Sequence, residues 1–289
     1  MILNTNVQAL LSTKALWYRN NALEKASTNL SLGTKINKSG DDPSGLAVAN
    51  KMKLQIKGLD MADRNVNDAV SLLQTAEGGI GEMQNIVQRM RELAVQASND
   101  TLSQADREII QQEIVQLSEE LNSISEKMEF NKKKLLNDDY DSFTFQVGGS
   151  TGQELEISFK EINAPVLGLS TATAREYDED GNPTRNVIPG LDYTTIQGAQ
   201  DALTRCDKAI DRINNYRARI GANQNRLEKT SNALVISEEN TQAALSRVID
   251  TDMASEMSEY TKNNVLVQAG IAMLSQANQR PNQLLSLLQ

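Results

Sequence analysis

Apolar residues recur at alternating intervals of three and four along most of this chain, and one register is unbroken: Leu59, Ala62, Val66, Ala69, Leu73, Ala76, Ile80, Met83, Val87, Met90, Ala94 and Ala97. This is the heptad seam of a coiled-coil-like helix, and at about 1.5 Å per residue it predicts a rod of roughly 57 Å. Asn99 and Asp100 break it. Ser103, with Asp106 three residues on, then predicts a capped second helix whose seam runs Ile110, Ile114, Leu117, Leu121, Ile124 and Met128, antiparallel to the first. A third helix is predicted over 196–248, with Leu203, Cys206, Ile210, Ile213, Ile220, Leu227, Leu234, Leu245 and Val248 in register. Arg217, Gln224, Ser231 and Glu238 interrupt that seam. Between the second and third helices the period falls to two. Phe143, Phe145 and Val147 alternate, 148–152 turns, and Leu155, Ile157 and Phe159 alternate, which predicts a β-hairpin over 143–159. Residues 161–195 hold Pro165, Pro183, Pro189 and the acidic run 176–180, and read as a short, exposed surface insertion.

Both ends of the chain carry the helical period as well. Leu16, Leu23, Ala26 and Leu30 keep it near one end, with Leu3, Val7 and Leu10 ahead of them. Met253, Met257, Tyr260, Val267, Ile271 and Leu274 keep it near the other, with polar Asn264 in the seam. In 1–40, Lys14, Arg19, Lys25, Lys35 and Lys38 stand against Glu24, a net of +4; in 249–289, Asp250, Asp252, Glu256 and Glu259 stand against Lys262 and Arg280, a net of −2. Opposite signs favour pairing the two ends. A two-helix pair leaves other apolar faces uncovered, and copies of the same chain are the economical cover. A head-to-tail contact that does not close generates an open helical filament. Leu3, Val7, Leu10, Leu16, Leu23, Leu30, Met253, Met257, Tyr260, Val267, Ile271 and Leu274 are therefore the candidates for packing between subunits. Each end alone buries too little apolar area to offset its ordering entropy, so folding of the ends is expected to accompany assembly.

Composition narrows the class further. The chain has 289 residues, a formal charge of −9, five prolines and only 4% aromatic residues, which fits Ala/Leu/Ile helix seams better than a bulky globular core. Without a Lys/Arg cluster, nucleic acid lacks its electrostatic footprint. No apolar run reaches membrane-spanning length, and the first residues lack a basic stretch followed by an apolar one. A soluble chain with no cleaved signal peptide is expected. The single cysteine, Cys206, excludes an intrachain disulfide and, sitting in a seam, reads as a buried small hydrophobe rather than a reactive thiol. With no histidine, His-based triads and HExxH zinc sites are excluded. Asp41 and Asp42 are a carboxylate pair, but Asp42 before Pro43 reads as a helix N-cap. The run 176–180 lacks the glycine and the twelfth-position glutamate of a calcium loop and reads as a solvated turn at Asp180-Gly181. No catalytic residue, cofactor or metal is expected. Arg89 and Leu93, one turn apart and off the seam, with Glu113 on the next rod, read by spacing alone as a solvated helix face with Leu93 partly exposed. Trp17 either fills space between subunits or packs within the chain.

Several long stretches resemble bacterial flagellin. They are Ile2-Leu3-Asn4-Thr5-Asn6, Leu30-Ser31-Leu32-Gly33-Thr34-Lys35-Ile36-Asn37, Asp41-Asp42-Pro43-Ser44-Gly45-Leu46-Ala47, Gln88-Arg89-Met90-Arg91-Glu92-Leu93-Ala94-Val95-Gln96 and, near the other end, Leu274-Ser275-Gln276-Ala277-Asn278-Gln279-Arg280-Pro281 with Leu284-Leu285-Ser286-Leu287-Leu288. The resemblance covers 1–138 and 196–289; the segment 139–195 carries none. It implies a mainly α fold in which 1–42 and 245–289 are the filament-core terminal helices. Residues 43–160 and 196–244 would form an outer helical rod domain with the β-hairpin, and 161–195 a variable surface insertion. It further implies self-assembly into the flagellar filament outside the cell. Export would run unfolded through the flagellar type III apparatus with a chaperone, and cap and hook-associated proteins would be partners. Arg89, Leu93 and Glu113 match positions at which a Toll-like flagellin receptor contacts the family and which are buried between subunits, although Met90 stands where valine is usual. Two alternatives are weighed: a hook–filament junction protein, and a soluble coiled-coil signalling or adaptor module.

Overall fold

The computed structural model describes residues 6–137, 142–170, 174–177, 183–188 and 190–287, with side chains described outside 174–177, 183–188 and 281–287. Within them the order is α1 (Val7–Leu32), α2 (Pro43–Ala97), α3 (Gln104–Lys127), β1 (Glu129–Phe130), β2 (Lys133–Lys134), β3 (Ser142–Gln146), β4 (Glu154–Ser158), α4 (Ala164–Leu167), β5 (Ala174–Tyr177), β6 (Pro183–Ile188), α5 (Ile196–Ile249) and α6 (Met253–Leu287). The fold is mainly α with small two-stranded antiparallel sheets in the middle of the chain. Two compact units divide it, one made of Met1–Ile56 and Glu239–Gln289, the other of Lys57–Glu238.

In the unit Lys57–Glu238, all twelve residues of the unbroken seam, from Leu59 to Ala97, are buried. Leu72 and Leu93 are buried beside them, so the apolar face of α2 is wider than one seam. Helix α3 begins with the expected capping box: the Ser103 hydroxyl accepts from the Asp106 N–H, and the Asp106 carboxylate accepts from the Ser103 N–H at 3.1 Å. Arg107 closes the α2–α3 turn from a buried position, donating to the Ala97 and Asn99 carbonyls.

Three of the four polar residues that interrupt the α5 seam find partners on α2. Ser231 donates to Asp63 at 2.6 Å, Gln224 to Glu77 at 3.2 Å, and Arg217 pairs with Glu77 at 3.5 Å while donating to Gln84 at 2.7 Å. Arg91 and Asp207 extend the series at 2.6 Å. The partners run in opposite directions along the two helices, so α2 and α5 are antiparallel. A heptad seam looks alike after every seven residues, and these matched polar rungs distinguish one register from its neighbours.

The β3–β4 hairpin pairs Phe143 with Ile157 and Phe145 with Leu155. It buries Phe143, Leu155 and Ile157 against the helices, as the period of two predicts. Two features depart from the sequence reading. A tight β1–β2 hairpin follows α3, turning on Asn131 and Lys132 with φ of 49° and 64°. The expectation of an exposed segment over 161–195 is also corrected at its two ends, where Ile162, Ala164, Val166, Leu167, Leu169, Leu191 and Tyr193 are all buried. Asn163 caps the short helix α4 through the Val166 N–H, Gly168 closes it at φ 76°, and Arg212 of α5 donates to the Val166 carbonyl at 2.5 Å. Pro165 starts a turn of helix there and Gly168 ends it; neither exposes it.

The other unit is built on α1 and α6, which pack antiparallel. Asn6 donates to the Ala277 carbonyl, Leu16 lies against Gly270, and Asn29 donates to Glu256. Gly33, with φ of 70°, ends α1 in the left-handed conformation that a Cβ disfavours. Thr34 then bridges Asp250, with the Lys35 N–H donating to the Ile249 carbonyl at 2.7 Å. Ala49, Leu245 and Ile249 make a small separate cluster.

Candidate polymerisation surface

Helix α1 is apolar on two opposite sides. At about 100° per residue, Leu16, Leu23, Ala26 and Leu30 share one side, and Val7, Leu10, Leu11, Tyr18 and Leu32 fall on the other. Helix α6 occupies the first side, where Ala26 is buried and Leu16, Leu23 and Leu30 are half-buried. The second side stays open: Val7, Leu10 and Leu11 are 62%, 63% and 64% exposed. Trp17 and Tyr18 stack edge to face at 5.1 Å and are both more than half exposed, so packing within the chain leaves much of the Trp17 ring open. Leu3 lies outside the described residues.

The contact face of α6 is turned from the one the period suggested. Tyr260, Val267 and Leu274 belong to it and are half-buried. The remaining contacts come from Glu256, Asn263, Gly270 and Ala277 rather than from Met253, Met257 and Ile271, which are half-exposed or more. The buried seam polar is Asn263, not Asn264. Small residues explain the rotation. A Cβ at Gly270 would lie 3.1 Å from Leu16, so the helices approach where α6 has least side chain, and its large residues are left at the edges. Val265 is exposed on the far side of α6, and Leu266 and Met273 are exposed along one edge of its contact face. A register with one face had no use for the doublets Leu10-Leu11, Trp17-Tyr18 and Val265-Leu266, and these were the signal that both helices have a second apolar side.

The opposite net charges of the ends are not expressed as direct ion pairs between α1 and α6 among the described residues. Polar contacts join them instead, including Arg280 to Gln8 at 3.0 Å and Asn29 to Glu256 at 3.1 Å.

The second candidate patch changes character. Arg89 donates to Glu113 from Nε and Nη2 at 3.0 and 2.9 Å and also meets Glu92, so its guanidinium is anchored across α2 and α3. These carboxylates hold its pKa above the ordinary value, the Glu113 hydrogen bond first. Leu93 is not partly exposed: at 2% it belongs to the core. Helix α2 is covered over a wider arc than a two-rod seam allows, and Leu93 lies within that arc beside Ala94. The surface patch is therefore the Arg89–Glu113 pair, with Leu93 beneath it.

Asp41, Asp42 and Cys206 are each engaged structurally. Asp41 takes a salt bridge from Lys25 at 2.8 Å and hydrogen bonds from the Lys38 and Asn37 N–H groups, which hold its pKa down at about 2. Asp42 is lowered too, by the Gly45 N–H and by Ser44, and serves the start of α2 at Pro43. Two carboxylates that stay ionised are poor general acids. Cys206 is buried with its Sγ 3.8 Å from the Tyr193 hydroxyl, and burial pushes the thiol up to about 11, so it is almost wholly protonated at neutral pH. No group of three or more metal-ligating side chains, and no helix long and apolar enough to cross a membrane, occurs among the described residues. The side chains of 176–180 lie outside them.

Residues 3–141 match the bacterial flagellin N-terminal helical region, and 203–288 match the bacterial flagellin C-terminal helical region. The chain is 42% identical over 288 residues to the flagellin of Halalkalibacterium halodurans and 43% identical over 304 residues to that of Bacillus subtilis, each alignment covering 100% of both chains. In solved structures, a Vibrio parahaemolyticus protein described as flagellar hook-associated shares the fold, with a TM-score of 0.54 over 73% of this chain and 100% of that one, at 14% identity. With both helical regions present in order and full-length likeness at this level, the chain belongs to the bacterial flagellin family, whose members are structural subunits of the flagellar filament.

Proposed function

We propose that this chain polymerises into the flagellar filament through the uncovered apolar sides of α1 and α6. The observation that carries the reading is the second apolar side of α1, where Val7, Leu10, Leu11, Tyr18 and Leu32 are each more than half exposed. An exposed apolar surface of this kind marks an interaction site. Because it occurs on the helix that already pairs with α6, the cover must come from outside the pair. Leu16, Leu23, Leu30, Tyr260, Val267 and Leu274 then hold the pair together, while Val7, Leu10, Met253, Met257 and Ile271 face neighbouring subunits, and Leu3 is assigned to packing between subunits by its sequence register. The domain division assigned to the chain places 1–42 and 245–289 in the filament core and 43–160 and 196–244 in the rod domain, with the variable insertion of 161–195 confined to the part between its buried ends.

Family membership supports the remaining partners: export through the flagellar type III apparatus with a chaperone, capping and hook-associated proteins at the ends of the polymer, and a flagellum outside the cell. The Arg89–Glu113 pair is the surface offered to a Toll-like flagellin receptor by released monomer, with Leu93 supporting it from the core. No catalysis is assigned. Removing residues 1–40 tests the central reading. The truncated chain is expected to stay monomeric by sedimentation and to form no filaments by electron microscopy, and polymerisation at the wild-type concentration sinks it. Counting copies in sheared filaments separates a filament subunit, present in thousands, from a junction protein confined to the base.

A further inference from the structure

Helix α5 carries a cationic line that the filament reading leaves unused. Lys208, Arg219 and Arg226 are all exposed, and their spacings of eleven and seven residues put them on one side of the helix. Between Lys208 and Arg219 an open groove of about 740 Å³ is lined by Lys160, Lys208, Arg212 and Arg219, with Asp211 as its one carboxylate. On a chain of net charge −9 this is an exception. Helix α3 carries the complement. Glu108, Glu119 and Glu126 are exposed on the side away from its buried residues Arg107, Ile110, Ile114, Ser118, Leu121 and Ser125, and their spacings are also eleven and seven. None of these six line residues takes part in an ion pair among the described residues.

We propose that the α5 line of one copy docks the acidic line of α3 from a second copy, with the two helices parallel. Parallel alignment brings all three opposite charges together at about 0, 16 and 27 Å along the axis, whereas the antiparallel one matches only two. Because the two surfaces differ, the contact is heterologous and repeats from copy to copy, which suits an open polymer. The contact steers encounter and sets register, since complementary charges across an exposed interface raise on-rates more than affinity. The proposal rests on the filament reading and assigns a contact in the unit that the terminal helices do not supply.

Two charge-reversed chains test it: K208E/R219E/R226E and E108K/E119K/E126K. Glu and Lys are both good helix formers, so each monomer is expected to melt as wild type does. Each alone is expected to polymerise at least about tenfold more slowly in low salt. An equimolar mixture, and a single chain carrying all six changes, are expected to recover the wild-type rate, because every groove again meets an opposite charge. Wild-type rates for either reversed chain alone overturn the inference and leave the filament reading standing. Loss without recovery in the mixture overturns it as well, by placing the partner of the line elsewhere. If K208E/R219E/R226E polymerises normally but loses retention on a sulfated-polysaccharide column, the groove serves a polyanion and the inference is wrong.

Discussion

The two units of this chain draw on the same heptad period and end in opposite states. Among the described residues, fourteen of the nineteen large apolar side chains that stand exposed lie in the unit made of Met1–Ile56 and Glu239–Gln289, although that unit is the smaller. Its buried apolar residues are Ala26, Ile36, Ala49, Leu245, Ile249 and Ala277. In Lys57–Glu238 the seam of α2 is completely covered, by α3, α5 and the β3–β4 hairpin in one continuous core. A seam therefore states only that a helix has an apolar stripe. Whether that stripe is satisfied within the chain depends on how many neighbours the chain supplies, and the terminal helices have one where the central ones have several.

Equal truncations in the two units therefore act on different observables. Leu121→Ala, at a fully buried site of α3, is expected to lower monomer stability by about 2–5 kcal/mol, measured by denaturant unfolding at unchanged slope. Leu10→Ala removes the same atoms from a side chain that is mostly exposed. It is expected to move monomer stability by no more than about 0.5 kcal/mol while raising the concentration needed for polymerisation. A core-sized loss of monomer stability in Leu10→Ala would erase the distinction between the units.

Much of the central unit was legible in the sequence because periodicity and caps are local. The seam Leu59–Ala97, the Ser103–Asp106 box and the 143–159 hairpin each follow from neighbouring residues. What escaped depends on tertiary company. Leu93 looked exposed because a heptad counts one partner, and α2 has more. Ile162 to Leu169 looked like surface because prolines and glycines drew attention from a short apolar run. On α6, heptad spacing favoured Met253, Met257 and Ile271, whereas close approach favoured Asn263, Gly270 and Ala277. Helix-to-helix distance is set by the smallest residues, and a pattern of apolar positions does not weigh size. The Arg89–Glu113 pair was legible as a neighbour relation between rods. That Arg89 is fixed by two hydrogen bonds to one carboxylate was not.

Asn263 sharpens the comparison from inside the terminal pair. It is buried between α1 and α6, and its Oδ1 has no hydrogen-bond partner among the described residues. An unmade bond of this kind costs about 1–3 kcal/mol, so the pair is held below the stability its length permits. Asn263→Leu, which keeps the branched shape, is expected to stabilise the pair by about 1 kcal/mol, read by the fluorescence of the single tryptophan, Trp17, in α1. A buried asparagine also fixes register in paired helices, so the same change is expected to broaden the set of α1–α6 alignments trapped by engineered disulfides. Destabilisation by both Asn263→Leu and Asn263→Ala would mean that the asparagine is satisfied after all.

The smallest effect expected concerns Asp41, which ties the chain between α1 and α2. Lys25 donates to it, followed by the Lys38 and Asn37 N–H groups, and the result is a pKa near 2 against an ordinary 3.8. A carboxylate whose folded pKa is depressed contributes stability that is present above the unfolded value and lost as pH falls through the folded one. The Asp41 contribution is thus complete above about pH 4 and disappears between pH 4 and 2. Asp41→Asn is expected to be less stable than wild type at neutral pH, with the difference closing over that window. Titration of the Asp41 carboxyl by nuclear magnetic resonance checks the cause directly. Lys25→Met is expected to raise its pKa only part of the way, because the two backbone donors remain. Recovery of the full ordinary value in Lys25→Met would mean that the turn itself is held by the lysine, and that the backbone of 37–41 opens without it.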